Sequence, residues 1–168
     1  MAATYIATFL RGRGEVAVVG FPGTQAGDAR ESAFRRTLAA QKGMKVTAAT
    51  SGGGTRESAR VATDTLLKLH PEVDALFVTG DAMTLGALDA VRARGRQELV
   101  MVGYGLSPEA QQAITQETPL KAVIVESPRV MGMRALQVVA EHLSNEGVPA
   151  RIVAGVRLVT IGNVTGKN

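Results

Sequence analysis

The stretch that decides the fold is VDALFVTGDAMTLGALDAVRAR, residues 73–94. Its apolar run Ala75–Val78 is typical of a buried strand, and Thr79 and Gly80 follow it as a tight polar turn. A helix is predicted to begin at once with Asp81 as its N-cap, because a carboxylate can accept the free amide hydrogens of a first helical turn. Strand, turn and helix together form the unit of a doubly wound α/β sheet, in which ligands bind at the carboxyl ends of the strands.

The same unit recurs along the chain. Strands are predicted at residues 15–19, 44–49, 75–78, 99–102, 122–125 and 156–161. Helices are predicted at residues 2–10 and 25–41, and as segments that begin at residues 55, 81, 107 and 127. Regular alternation indicates parallel strands with right-handed crossovers, and near-continuous apolar strands indicate a sheet covered on both faces. We therefore predict one α/β domain over residues 1–168, a three-layer αβα fold with a doubly wound, mainly parallel sheet.

Composition limits the class of protein further. Hydrophobic residues make up 45% of the 168 residues and charged residues 20%, which is typical of a globular domain. The net charge is +4, but aromatic residues are only 4% and the basic residues are scattered, so we predict no nucleic-acid contact by this segment. The absence of cysteine excludes disulfides and thiolate chemistry and leaves the compartment open.

The sequence lacks the motifs of the common enzyme and cofactor sites. The glycine turn at residues 20–23 has neither the Walker lysine nor the dinucleotide-binding spacing. A phosphoacceptor receiver domain would need paired acids where Phe21 and Pro22 stand. His70 and His142 are far apart and make a poor metal site, and no Ser-His-Asp constellation can be built. We therefore predict a protein that is not an enzyme, with no catalytic residue, metal or cofactor.

Small and polar residues collect at the predicted turns that follow the strands. The candidate ligand-binding residues are Phe21, Asp28, Gly54, Gly80, Asp81, Tyr104, Gly105 and Glu126, with Thr24 and Ser107 beside them. Carboxylates that accept paired hydrogen bonds beside an apolar face suit a neutral polyhydroxyl ligand. Structural roles compete with this interpretation, because Asp81 and Ser107 suit helix caps and the helix dipole favours Asp28 in a first turn. Glu126, between a strand and Ser-Pro, fits either role.

Four blocks in order carry a family resemblance. They are GEVAVVGFPGTQAGDARESAF (14–34), LLKLHPEVDALFVTGDAMTLGALDAV (66–91), LVMVGYGLSPEAQQAI (99–114) and KAVIVESPRVMGMRALQVV (121–139). This series resembles the type I periplasmic binding proteins of sugar ABC transporters, with ribose binders as the nearest pattern. The effector domains of the lactose-repressor family share that fold. The resemblance covers nearly all of the chain.

The resemblance implies an architecture of two lobes, joined by three crossings, with the ligand between them. Residues 14–121 resemble the core of the C-terminal lobe, and residues 122–168 resemble the segment that crosses back to the N-terminal lobe. The first half of the family pattern is absent, so we expect either a fragment or a natural half-protein. We further expect residues 122–143 to pack back on their own sheet or to pair with a second copy in a homodimer, because an apolar strand and helix are costly to expose.

The chain departs from ribose binders at five sugar-reading positions. These hold Asp28, Gly54, Gly80, Gly105 and Glu126. The three glycines are expected to enlarge the pocket, which favours a bulkier sugar, a polyol or a derivative carrying an amine.

The resemblance implies a solute-binding protein in the periplasm that closes about a hinge on a sugar or polyol and delivers it to an ABC permease. Two alternatives stay open at this point. One is the effector-binding domain of a cytoplasmic transcription regulator, which would carry a helix-turn-helix outside this segment. The other is a stand-alone interaction module with a degenerate pocket.

Overall fold

In the computed structural model, residues 1–152 and 155–164 are described, and they form one six-stranded sheet flanked by helices. The strands are β1 (Arg13–Gly20), β2 (Gly43–Ser51), β3 (Ala75–Val78), β4 (Val100–Tyr104), β5 (Leu120–Glu126) and β6 (Val156–Thr160). The helices are α1 (Ala2–Phe9), α2 (Gln25–Leu38), α3 (Arg56–Leu69), α4 (Asp81–Ala93), α5 (Pro108–Thr115) and α6 (Pro128–Leu143).

The strand order is β2-β1-β3-β4-β5-β6. Strands β1 to β5 run parallel, and β6 pairs antiparallel with β5. The chain steps outward from β1 to β2 and then continues on the other side of β1, which is the doubly wound topology. The predicted fold class is therefore confirmed, with the antiparallel edge strand as the one deviation from a purely parallel sheet.

Two apolar layers cover the two faces of the sheet. On one face, Ile6 of α1 and Phe34 of α2 pack against alternate strand residues such as Phe77. On the other face, side chains of α3, α4 and α5 pack against the remaining strand residues, such as Leu76. Alternate residues of one strand thus face opposite helical layers, which explains why β3 is apolar throughout.

Helix α6 differs from the other five helices. Ser127 caps its first turn by accepting the amide hydrogen of Val130, and Pro128 occupies the first helical position. None of its 16 residues is buried. The expectation that residues 122–143 pack back on their own sheet is therefore correct for β5 and wrong for α6. Strand β5 is held by backbone hydrogen bonds to its neighbours, whereas α6 buries no residue against the described part of the chain. No helix in the described ranges has the length and apolar character needed to span a membrane.

Candidate functional site

The parallel strands bring their carboxyl ends to one edge of the sheet, where an open pocket of about 420 Å³ lies. It is lined by Arg30, Asp81, Tyr104, Gly105, Leu106, Ile124, Val125, Glu126 and Pro128. These residues come from α2, from the last residues of β4 and β5, from the turn after β4, and from the first residues of α4 and α6. The pocket therefore lies where doubly wound sheets bind ligands.

Arg30 connects three strand ends. One terminal nitrogen of its guanidinium donates to the carbonyl oxygen of Thr79, at 2.9 Å, and the other donates to Oε1 of Glu126, at 2.8 Å. The guanidinium carbon lies 4.0 Å from the centre of the Tyr104 ring, which is a cation–π distance. One side chain thus holds together the turns after β3, β4 and β5.

The sequence of α2 explains this position. Thr24 caps the helix by accepting the amide hydrogen of Gly27, and Phe34 and Leu38 are buried on its inner face. Arg30 precedes Phe34 by four residues, so it lies on the same face one turn nearer the pocket. Arg30 is not among the predicted site residues, although its spacing from Phe34 was a signal available in the sequence.

Tyr104 lies over an aromatic stack in the layer beneath the pocket. The Phe34 and Phe77 rings stack with their centres 4.3 Å apart, and the Tyr104 ring is tilted against Phe77 with a centre distance of 6.4 Å. Burial raises the pKa of the Tyr104 phenol, and Arg30 opposes this effect. The ring is consequently a neutral, fixed face at neutral pH.

Asp81 is not the N-cap of α4, which corrects the prediction. Gly80 occupies that position with extended backbone angles, and no side chain caps the helix. Instead, the Asp81 carboxyl lies against the backbone of Gly105, in the space that a Cβ atom at position 105 would need. Gly105 has a φ of +77°, which glycine adopts without strain.

Thr84 fixes the relative position of these two turns. Its hydroxyl donates to the carbonyl oxygen of Gly80 at 2.8 Å and accepts the amide hydrogen of Tyr104 at 3.0 Å. Thr84 is fully buried, so water does not compete for either bond. Partial desolvation raises the pKa of the Asp81 carboxyl.

Four of the eight predicted site residues line the pocket together: Asp81, Tyr104, Gly105 and Glu126. Phe21 and Gly54 form a separate contact outside its lining, since a Cβ atom at Gly54 would lie 2.8 Å from Cζ of Phe21. Asp28 accepts the amide hydrogen of Gly23 at 3.3 Å, which is a structural role within its own turn. Ser107, named beside the candidates, caps α5 by accepting the amide hydrogen of Ala110.

The three glycines do not enlarge the pocket, contrary to expectation. The space beside Gly54 is filled by the Phe21 ring, and that beside Gly105 by the Asp81 carboxyl. A Cβ atom at Gly80 would lie 2.7 Å from Cε of Met83. The missing side chains are replaced by neighbours, so these positions carry no argument for a bulkier ligand.

A second cavity, of about 480 Å³, lies beside α6 and is mainly apolar. It is lined by Val130, Met131, Arg134, Ala135, Val138, Ile152 and Gly155. Arg134 is the one charged residue in this lining, and Glu141 already pairs with it at 2.9 Å. The surface resembles an uncovered packing face more than a pocket for a polar solute.

The family model of the periplasmic binding protein domain matches residues 1–147. The chain belongs to this family. The ribose import binding protein of Salmonella typhimurium is 31% identical over 140 residues, which cover 83% of this chain and 47% of that protein. The chain spans about half the length of the curated relatives of this type that it matches.

Two further proteins are similar to this periplasmic binding protein domain. The sugar-binding protein of a sugar ABC transporter from Bacillus halodurans superposes with a TM-score of 0.91 at 24% identity, over 98% of this chain and 61% of that one. The HTH-type transcriptional regulator CelR of Thermobifida fusca is 32% identical over 140 residues, which cover 80% of this chain and 40% of that protein. The family resemblance found in the four sequence blocks is therefore confirmed.

Proposed function

We propose that this periplasmic binding protein domain is the C-terminal lobe of a solute-binding protein that captures a sugar or polyol for an ABC importer. The observation that carries this proposal is the pocket at the carboxyl edge of the sheet, where Arg30, Asp81, Glu126 and Tyr104 converge. The similarity to ribose import binding proteins supports a location of the whole protein outside the cytoplasm and an ABC permease as its partner. Residues 14–121 are then the lobe core, with α1 packed onto it, and residues 122–168 lead toward the second lobe.

The chemistry of the pocket suits a hydroxylated ring. Oε2 of Glu126 and both oxygens of Asp81 accept no hydrogen bond from the described residues, so they can accept from ligand hydroxyls. Guanidinium hydrogens of Arg30 that are not used by Thr79 and Glu126 can donate to hydroxyl oxygens. The Tyr104 ring and Ile124 supply apolar surface for the C–H groups of a sugar.

The position of Glu126 connects binding to closure. It is the last residue of β5, and Ser127 begins α6, so the Arg30–Glu126 pair lies where the chain leaves the lobe core. A ligand that replaces part of this ion pair alters a contact at the point where the chain leaves the lobe core. Such a differential contact is what a ligand needs to shift an open–closed equilibrium.

The exposed apolar face of α6 needs a partner in this architecture. Met133, Leu136 and Leu143 are each more than 60% exposed. The second lobe of the same binding protein is the partner that we propose, and a homodimer of this chain is the alternative. Analytical ultracentrifugation of the 168-residue chain separates them, since self-pairing predicts a dimer whose dissociation depends on concentration.

The binding proposal is tested by titrating the ¹⁵N-labelled chain with D-ribose, D-allose and myo-inositol and following amide chemical shifts. We expect shifts clustered at residues 103–106 and 124–126 for at least one ligand. Arg30→Gln should weaken that binding about tenfold, because a charge-assisted hydrogen bond contributes about 1.5–3 kcal/mol. Shifts scattered outside the pocket, or an unchanged affinity in Arg30→Gln, would contradict the proposal.

Arg94→Gln is the matched control for this substitution. Arg94 has a side chain 29% exposed and pairs with Asp64, while Arg30 has a side chain 25% exposed and pairs with Glu126. Arg94→Gln removes one partly exposed ion pair and should cost about 1 kcal/mol of stability or less. Arg30→Gln also removes the hydrogen bond to the Thr79 carbonyl oxygen and the contact with the Tyr104 ring, so it should cost about 1–2 kcal/mol more. Only the Arg30 variant should lose ligand binding.

The similarity to CelR supports a second candidate, the effector-binding domain of a transcription regulator. Its pocket would bind an effector through the same residues. Closure would then act on a DNA-binding segment, and the protein would be cytoplasmic. The sequence upstream of the domain in the gene separates the candidates, since an export signal indicates the importer and a helix-turn-helix indicates the regulator.

A further inference from the structure

The pocket at the carboxyl edge has an unequal charge. Its lining contains two carboxylates, Asp81 and Glu126, and one cation, Arg30. The other lining residues are neutral. This excess of negative charge contrasts with the chain as a whole, whose net charge is +4.

The one cation is already engaged by the protein. Glu126 neutralises the Arg30 guanidinium at 2.8 Å, the Thr79 carbonyl oxygen accepts from it at 2.9 Å, and the Tyr104 ring covers one face at 4.0 Å. Asp81 takes no part in this cluster of contacts. Among the described residues that line the pocket, the charged group without a partner side chain is therefore Asp81.

Asp81 differs in this respect from most carboxylates of the described chain. Of the 15 aspartates and glutamates, 12 have an arginine, lysine, histidine or backbone amide as partner. Glu117 and Glu146 also lack a partner among the described residues, but they follow helix ends and line none of the pockets described above. Asp81 is thus the unpaired carboxylate that faces a pocket.

The fold holds this carboxylate in place. The Asp81 carboxyl lies in the space beside Gly105 that a side chain there would occupy, and Thr84 ties the two turns together through Gly80 and Tyr104. The Gly105 backbone confines the carboxylate on one side, so it has fewer conformations to lose when a ligand arrives than a freely exposed carboxylate. Its partial desolvation is unfavourable until an opposite charge or several donors reach it.

We propose that the ligand of this pocket is an amino sugar or amino polyol, whose protonated amine pairs with Asp81 while its hydroxyls contact Glu126 and Arg30. This inference rests on the proposed function and narrows its ligand class from neutral sugars to cationic ones. A protonated amine supplies both the charge and the hydrogen-bond donors that Asp81 lacks. The named import relatives bind neutral sugars, so the two classes are distinguishable.

The test compares matched ligands with the ¹⁵N-labelled 168-residue chain at a pH where the amine is protonated. D-Glucosamine, D-glucose and N-acetyl-D-glucosamine form one set, and the corresponding galactose and mannose compounds form two more. We expect the amine to bind about tenfold more tightly than its neutral and acetylated counterparts in at least one set, since one charged hydrogen bond has about that value. Amide shifts should cluster around residues 81 and 103–106.

Asp81→Asn keeps the shape of the side chain and removes its charge. In this variant the preference for the amine should fall to about twofold or less, because the amine loses its charged partner, whereas a neutral sugar loses one hydrogen-bond acceptor that the amide oxygen replaces in part. Asp64→Asn, on the exposed surface of α3, should leave the preference unchanged. A circular dichroism spectrum of each variant establishes that it is folded.

The outcomes separate this inference from the function on which it rests. Tighter binding of neutral sugars in every set, with shifts at the pocket, would overturn the amine and leave the sugar-binding function standing. An amine preference that persists in Asp81→Asn would overturn the role of Asp81. The absence of pocket shifts with all sugars would overturn both and favour an interaction module.

Discussion

Helices α3 and α6 show what an amphipathic pattern does and does not determine. Helix α3 has 14 residues and buries Ala59, Thr63, Leu66 and Leu67, whereas α6 has 16 residues and buries none. Both begin at capped first turns and both carry apolar residues at helical spacing. The pattern determines that a helix forms, but it does not determine which surface covers the helix.

The contrast extends to the strand before α6. Strand β5 is paired with β4 on one side and β6 on the other, and Val123 is fully buried. A strand completes its backbone hydrogen bonds with neighbouring strands, so β5 is integrated although the helix after it is not. The boundary between the packed and the uncovered region therefore falls at Glu126, beside the pocket.

The largest effect expected from this contrast is a difference between two leucine truncations. Leu76→Ala, at a fully buried position in β3, should lower the free energy of unfolding by about 2–5 kcal/mol. Leu136→Ala, at a position 74% exposed in α6, should change it by about 0.5 kcal/mol or less. Urea denaturation measures both changes in the free energy of unfolding, and an unchanged m-value shows that stability alone has changed.

A loss of more than about 1 kcal/mol in Leu136→Ala would show that α6 is covered in solution. Repeating the measurement at a tenfold higher protein concentration would then identify the cover. A cost that grows with concentration indicates a second copy, because dimer stability depends on concentration.

Two helical glycines test the same contrast at smaller magnitude. A Cβ atom at Gly86 of α4 would collide with the carbonyl oxygen of Arg56 in α3, so Gly86→Ala should cost about 1–3 kcal/mol. Nothing lies within 4 Å of a Cβ atom at Gly132 of α6, so Gly132→Ala should stabilise that helix by about 0.5–1 kcal/mol through helix propensity alone. Thermal denaturation and far-ultraviolet circular dichroism measure the two effects, and the same sign in both variants would contradict the contrast.

The fold was predictable because two independent signals coincide in each unit. In residues 75–93, an apolar run of strand length is followed by a tight turn and a helical period, and the structure places β3 and α4 there. The position of α6 relative to a partner was not predictable. Its sequence pattern is the same whether the helix packs on its own sheet or on another surface.

The site was predictable in part, because the sheet topology determines where strand ends lie. Asp81, Tyr104 and Glu126 lie at or shortly after the carboxyl ends of parallel strands, so topology alone brings them to one edge. Arg30 lies inside α2 and reaches the edge through a long side chain, which strand-end reasoning does not include. The filled space beside Gly105 could not be predicted, because Asp81, whose carboxyl fills it, is distant in sequence.

The smallest predicted effect concerns Asp81, whose desolvation lowers the stability of the folded protein at neutral pH. Desolvation raises the pKa of Asp81 above the ordinary value of 3.8, so the native state favours the protonated carboxyl. The resulting stabilisation is present below the pKa of the unfolded chain and is lost as the pH rises through the native pKa. Asp81→Asn should therefore raise the Tm at neutral pH. The corresponding gain in the free energy of unfolding should be about 0.5 kcal/mol or less, because the position is exposed.

Asp64 provides the opposite sign in the same scaffold. The hydrogen bond from Arg94 lowers the pKa of Asp64, so its stabilisation is present at neutral pH and is lost as the pH falls through the native pKa. Asp64→Asn should thus lower the Tm at neutral pH, and the differences of both variants from the parent chain should shrink below the ordinary pKa of each carboxyl. A lower Tm for Asp81→Asn at neutral pH would mean that the free protein already stabilises the carboxylate, through the dipole of α4, whose first turn it occupies, or through an ion pair. Its role as the uncompensated charge of the pocket would then be untenable.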